Sequence, residues 1–404
     1  MEIGPIFRAL MRNKLGVALI SIQIAVTMTV MTNAIFIIQE REELMTRPSG
    51  LDEPNMFWIS SMGFGDSFNE QVVVADDLDR MRRTPGIENA SLINAIPVSG
   101  SGSSTGVRLE PDDTTPSVGV PIYYADDQVI NTLGANLIAG QAFTPQDMRY
   151  RSESGRTSAT TAIITRALAE QLYEDLPLDN VLGQTIYLPG AAPLQIKGVV
   201  ERLQGPWPTS EIIERSIVLP EQFLDGFSTY IIRTAPGERD RLMVEVEEML
   251  VASNDQRVIL GARSMAETRD ATFRADSALS TVLWMIIYIL VAITGLGIVG
   301  LAVFGINRRR KQIGTRRALG ASRFEILRYF MVENLLITSV GVLLGAVLTI
   351  GLSMAISSLF NMPAITWYYT PVGMLVLLLL GQLAVFGPSR GAARIEPAIA
   401  TRSV

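Results

Sequence analysis

The sequence predicts an α-helical membrane protein with four transmembrane helices and a large extracytoplasmic α/β domain of two lobes. Three observations carry this prediction. Of 404 residues, 48% are hydrophobic and the mean hydropathy is positive, which is too apolar for a soluble chain with an ordinary charged surface. The apolar residues are concentrated: 15–38, 279–306 and 334–389 contain no charged residue. The short segments flanking them are basic, whereas 39–278 holds 20 basic against 36 acidic residues.

In chain order, residues 1–14 open with Ile3, Ile6, Phe7, Leu10 and Met11, the stripe of an amphipathic helix lying in the cytoplasmic interface beside Arg8 and Arg12. Residues 15–38 form the first span. The run exceeds a signal-peptide core and no small-residue cleavage site follows, so it reads as an uncleaved anchor. Helix-forming residues continue over 39–47, with Glu43 and Arg47 one turn apart, until Pro48 and Gly50 end them. Residues 39–278 form the outside domain and 279–306 the second span. A span needs about 20 apolar residues, so the last uncharged block holds two, expected at 326–360 and 368–388 with a turn at Asn361, Met362 and Pro363. A tail, 389–404, follows. Residues 1–14, 307–328 and 389–404 carry 3, 8 and 3 basic residues, which places both termini and the 307–325 loop in the cytoplasm.

The outside domain alternates strand-like runs such as MFWIS (56–60), TAIIT (161–165), LQIKGVV (194–200) and TYIIR (229–233) with helical ones at 75–83, 126–133, 166–173 and 237–252. PVSGSGSSTG (97–106) reads as a mobile loop; without a following Gly-Lys-Ser/Thr it is no phosphate loop. A capping box, Ser264-Met-Ala-Glu267, begins a helix that meets no proline before Arg308. The expectation is one rod of about 63 Å, a stalk including 264–278 that runs into the second span. The chain has no cysteine and no histidine, which excludes disulfides, thiolate and imidazole metal sites, Cys nucleophiles and Ser-His-Asp triads. The pairs Asp76-Asp77, Asp112-Asp113 and Asp126-Asp127 lack calcium-loop spacing, so no metal site is expected.

The loop between the second and third spans carries the most specific signal. Arg308, Arg309, Arg310 and Lys311 are explained by topology alone. Beyond them Gly314 and Gly320 bracket a short helix, Thr315–Leu319, and Ser322-Arg-Phe-Glu325 caps a fresh one. Ile313, Ala318 and Leu319 are apolar among arginines and read as a docking knob in a basic collar. In the spans, Gln23, Thr27 and Asn33 are polar groups that would face a partner subunit or a central seam. Glu333 is an acid at interface depth near Arg328, and Gly341 and Gly345 form a GxxxG pattern that admits a close helix.

KQIGTRRALGAS (311–322) resembles the signature of MacB/FtsX-type permeases, the membrane subunits of mechanotransmission (type VII) ABC transporters. PIYYADDQVINTLGANLIAGQAFTPQD (121–147), KGVVERL (197–203) and the closing Arg394-Ile-Glu-Pro397-Ala-Ile are similar to the MacB side of that family. The resemblance implies a MacB-like periplasmic core domain with one lobe interrupting the other. It also implies a coupling helix on Gln312, Ile313, Gly314, Thr315, Arg316, Arg317, Ala318, Leu319, Gly320 and Ala321 that docks on an ATPase, with Ser322 and Glu325 as the next helix cap. Gln312 stands where the family usually has an acid. No Gly-x4-Gly-Lys-Ser/Thr and no Leu-Ser-Gly-Gly-Gln occurs. The chain is therefore expected to bind no cofactor itself, to be no enzyme, and to rely on two copies of an ATPase subunit for ATP and Mg. The other implied partners are a second permease, identical or not, and a periplasmic adaptor with an outer-membrane channel. The expected role is export of a peptide, lipoprotein or amphiphilic drug from the bacterial inner membrane. An FtsX-like regulator of a periplasmic hydrolase is the alternative. Because the chain has no native cysteine, topology is directly testable. A cysteine placed at Ser101 should react with a membrane-impermeant maleimide in intact spheroplasts, and one at Thr315 only after lysis; equal labelling of both would defeat the assignment.

Overall fold

The computed structural model describes residues 14–395, apart from 113, 152–156, 175, 191, 361 and 362. The expected amphipathic helix over 1–14, the Asn361-Met362 turn and the motif beyond Ile395 lie, apart from Lys14 itself, outside the described residues. Residues 44–275 form one compact unit, and the helices before and after them form another. The strands are β1 (Met56–Gly63), β2 (Ile87–Leu92), β3 (Ser103–Val107), β4 (Val118–Ala125), β5 (Leu137–Gly140), β6 (Arg149–Arg151), β7 (Thr161–Thr165), β8 (Thr185–Leu188), β9 (Ala192–Val200), β10 (Ile217–Phe223), β11 (Phe227–Thr234) and β12 (Arg257–Ser264). The helices are α1 (Lys14–Thr46), α2 (Glu70–Arg83), α3 (Val129–Leu133), α4 (Arg166–Leu172), α5 (Leu178–Val181), α6 (Arg239–Ser253), α7 (Met265–Thr272), α8 (Arg274–Arg308), α9 (Arg310–Ala318), α10 (Arg323–Phe360) and α11 (Tyr369–Ala393).

The α/β unit has two lobes. Strand alternation sends Phe57, Ile59, Tyr230 and Ile232 to one face of an antiparallel sheet ordered β12-β1-β11-β2, where Val74 and Leu78 of α2 and Leu242 and Val246 of α6 cover them. The opposite face, with Met56 and Ile231, packs on Tyr123, Ile163 and Val218 of the second sheet. That sheet runs β3-β4-β10-β7-β9-β5, with β6 beside β10 and β8 beside β9, and mixes parallel and antiparallel pairs. All its strands come from between β2 and β11, so the second lobe interrupts the first. Four of its strands, β3, β5, β6 and β10, were hidden in the sequence. The PVSGSGSSTG stretch is no simple mobile loop, because Ser103–Val107 pairs with β4. Pro220 masks β10, yet β10 lies inside the sheet.

Near the start of this unit, Arg269 of α7 gathers the end of the first helix. It donates to the Met45 carbonyl at 2.9 Å and through Nε and Nη2 to the Glu53 carboxylate at 2.9 and 2.5 Å. The expected continuous rod is broken here. α7 stops at Phe273, whose ring is buried and whose backbone leaves helical geometry before α8 starts at Arg274. No proline announces the break; burial of one ring does.

In the helical unit, α1 is the inner helix. Half of its apolar window is buried, against 17% for α8. Gly341 and Gly345 of α10 explain the contact: a Cβ at Gly341 would meet Ile24 at 2.8 Å, and one at Gly345 would meet Met28 at 2.9 Å. α10 begins at Arg323 and α11 runs to Ala393, five residues past the expected end at 388 and through Pro388.

Burial alone would raise the Glu53 carboxyl, but the hydrogen bonds from Arg269 and Ser49 and the Arg269 charge outweigh it and hold Glu53 below the usual glutamate range. A carboxyl depressed in the fold stabilises above its unfolded value, and that contribution vanishes as pH falls through the folded one. Glu53→Gln should therefore lower the unfolding stability of the α/β unit at pH 7 by about 1–3 kcal/mol. Denaturation at decreasing pH should show the gap to the parent closing below the ordinary glutamate range.

Candidate functional site

The loop helix α9 is built from its ends. Arg309 interrupts α8 with φ −103° and ψ 12°, and its carbonyl accepts the Ile313 amide at 2.9 Å, so α9 starts at Arg310 and not at Thr315. Gly314 lies inside the helix. Gly320 closes it with φ +99°, a left-handed conformation that glycine adopts without strain. The Ser322 amide then donates to Glu325 at 2.8 Å and the Glu325 amide to Ser322 Oγ at 3.2 Å, completing the cap of α10.

The apolar residues of α9 divide into two groups. Ile313 is only 4% exposed and inserts among Ile306, Ile326, Phe330, Ala392 and Ala393, with Gly314 buried beside it. It therefore does not belong to the outward knob. It faces the spans, and Ala392 and Ala393, beyond Pro388, close this cluster. Leu319 is 83% exposed and Ala318 is exposed with it. Phe324, which the sequence reading missed, adds a 67% exposed ring in the first turn of α10. The signal was there: Phe324 sits between the two halves of the Ser322/Glu325 cap, in a first turn where a phenylalanine has no helix to pack on. Lys311, Gln312, Thr315 and Arg316 are exposed around the knob, Arg317 and Ala321 half-buried. Arg317 donates to the Ala321 carbonyl at 3.1 Å, and the Arg316 guanidinium lies 5.4 Å from the Tyr329 ring centre.

Glu333 does not pair with Arg328. Arg309 Nη1 donates to both of its oxygens, at 3.0 and 2.9 Å, and the carboxylate is largely buried. The polar groups of the first span also have partners within this chain. Thr27 and Thr294 of α8 share a hydrogen bond of 2.7 Å, and Asn33 donates to the Thr29 carbonyl at 2.8 Å and to the Thr349 carbonyl at 3.4 Å. Gln23 covers Gly297, where a Cβ would meet its Oε1 at 2.7 Å. Thr27 and Asn33 thus find hydrogen-bond partners within the chain.

Four described helices are long and apolar enough to cross a membrane. The description "MacB-like periplasmic core domain" matches residues 15–258, and "FtsX-like permease C-terminal" matches 284–397. The chain belongs to the MacB-like family. This MacB-like chain is 22% identical over 342 residues to the ABC transporter permease YknZ of Bacillus subtilis, covering 82% of this chain and 80% of the relative. It is 23% identical to the macrolide export ATP-binding/permease protein MacB of Vibrio parahaemolyticus, covering 83% of this chain and 49% of that one. The pyoverdine export ATP-binding/permease protein PvdT of Pseudomonas fluorescens is 24% identical, with 86% and 51% covered. The chain thus spans about half the length of the MacB and PvdT relatives. The crystal structure of the periplasmic region of MacB from Actinobacillus actinomycetemcomitans aligns with 58% of this chain and 98% of its own, at 12% identity and a TM-score of 0.34. With its four apolar helices, the MacB-like chain is a multi-pass membrane permease of the ABC class.

If Ile313 anchors α9, Ile313→Ala should loosen the helix by about 2–4 kcal/mol, within the range for truncating a buried aliphatic side chain. Hydrogen exchange of the 311–318 amides would accelerate by at least about tenfold while the amides of α10 keep their protection.

Proposed function

We propose that the chain is the permease subunit of an ABC-type exporter in the bacterial inner membrane, driven by an ATPase carried outside these 404 residues on a separate chain. Two copies of that ATPase bind the nucleotide and Mg, and the 310–321 segment receives their motion. Both termini and the 307–325 loop lie in the cytoplasm, and the α/β domain lies on the far side. A second permease completes the complex, and an adaptor with an outer-membrane channel carries cargo onward. The cargo is a peptide, lipoprotein or amphiphilic drug released from the outer side of the membrane.

One observation carries this reading: Leu319 stands exposed at the end of a helix whose Ile313 is buried in the bundle, and Phe324 is exposed at the start of the next helix. A loop needed only for its charges gains nothing from an anchored helix with an apolar tip, whereas a docking foot needs both. The basic flanks at 1–14, 307–328 and 389–404 support the orientation. YknZ, the relative covered over most of its length, is named a permease alone, which supports a separate ATPase.

The test is co-purification with candidate ABC ATPase subunits of the same organism. Leu319→Asp places a charge in the centre of the docking surface and should reduce ATPase association at least about thirtyfold, corresponding to roughly 2 kcal/mol lost at an interface hot spot. Membrane insertion of the variant should be unchanged. Association at the parental level would remove the docking assignment.

A further inference from the structure

The break at Arg309 raises a mechanical question. A helix joined to the second span through one non-helical residue cannot be its rigid extension, so something else must fix its direction. The second span contributes Ile306 to the cluster around Ile313 but is loosely packed elsewhere. A Cβ at Gly295, Gly300 or Gly305 would meet nothing within 4 Å, and a cavity of about 60 Å³ separates Ile298 and Gly305 of α8 from Arg309 and Glu333. On the other side the contacts are close. Arg309 grips Glu333 of α10 with two hydrogen bonds, its Nη1 lies 3.4 Å from Tyr329 Oη, and Ile313 is held by Ile326 and Phe330 of the same helix.

We propose that Arg309 and Glu333 are positioning residues that lock the loop helix α9 onto α10, so that the two move as one rigid body. Motion delivered at Leu319 then enters the bundle through the third helix. It does not travel up the second as through a continuous rod. Arg309 suits this task because its Nη1 reaches both Glu333 oxygens and approaches Tyr329 Oη, so the head of the side chain is held between two residues of α10 one turn apart. Glu333 suits it because its carboxylate is largely buried where Arg309 meets it. Ile313 supplies adhesion and the ion pair supplies direction. This inference deepens the docking reading above, but it can be measured without the ATPase.

The lack of native cysteines allows distances to be read directly. Spin labels on Thr315→Cys and Ser358→Cys report α9 against the far end of α10, and labels on Thr281→Cys and Ser358→Cys report the bundle itself. In the full-length chain the first pair should give one narrow distance distribution. Glu333→Gln should at least double its width and leave the second pair unchanged. The exchange R309E with E333R should restore the narrow distribution, which a loss of general packing would not allow. Leu319→Asp should leave both pairs narrow, so a failure of docking and a failure of the lock are read separately. A Glu333→Gln distribution as narrow as the parent overturns the proposal, and so does an exchanged variant that stays as broad as Glu333→Gln.

Discussion

The constraint on which the membrane unit depends is close helix approach around the first span. The bilayer offers little hydrophobic drive between apolar helices, so van der Waals contact and scattered hydrogen bonds must hold them. Gly341 and Gly345 remove the side chains that would keep α10 away from Ile24 and Met28, and the first span becomes the helix the others pack around. Its polar residues follow from that position. Thr27 and Asn33 are surrounded by helices of the same chain and bond to them, and Gln23 lies over Gly297. The third span, fixed against the first by its glycines, is then firm enough to hold the loop helix at its other end.

The loop helix shows how two kinds of contact divide one task. Ile313 is apolar and non-directional; it holds the helix down but lets it roll. The Arg309–Glu333 pair is directional and sits at the hinge. With both present, the exposed end formed by Leu319 and Phe324 is presented at a defined angle. Ser322 and Glu325 add a reciprocal cap between the two helices, so even the two-residue connection after Gly320 is ordered by hydrogen bonds.

Much of this was legible in the sequence because its signals are local. Charge-free runs locate helices that need no water for their backbone, and serine three residues before glutamate locates caps at Ser264 and Ser322. The GxxxG pattern identified a close approach without naming the partner. What escaped was whatever depends on which face a residue turns. Ile313 and Leu319 are equally apolar and six positions apart, and only the fold separates anchor from tip. Glu333 had a nearer arginine in sequence, Arg328, but a better-placed one in space. Phe273 breaks a helix that no glycine or proline interrupts, because burying its ring outweighs one turn of backbone regularity. β10 was missed because Pro220 speaks against a strand in an inner position.

The nesting of the two lobes has a further consequence. The chain leaves the four-stranded sheet after Leu92 and re-enters it at Phe227, and the Ile93 amide donates to the Thr229 carbonyl at 2.9 Å. Departure and return are thus adjacent rungs of one ladder. An insertion whose ends already meet imposes almost no closure cost on its host, whatever its length. The eight-stranded lobe is in effect an exchangeable cassette on a fixed mount, so descendants of one scaffold could replace the cassette while the sheet that carries it stays as it is.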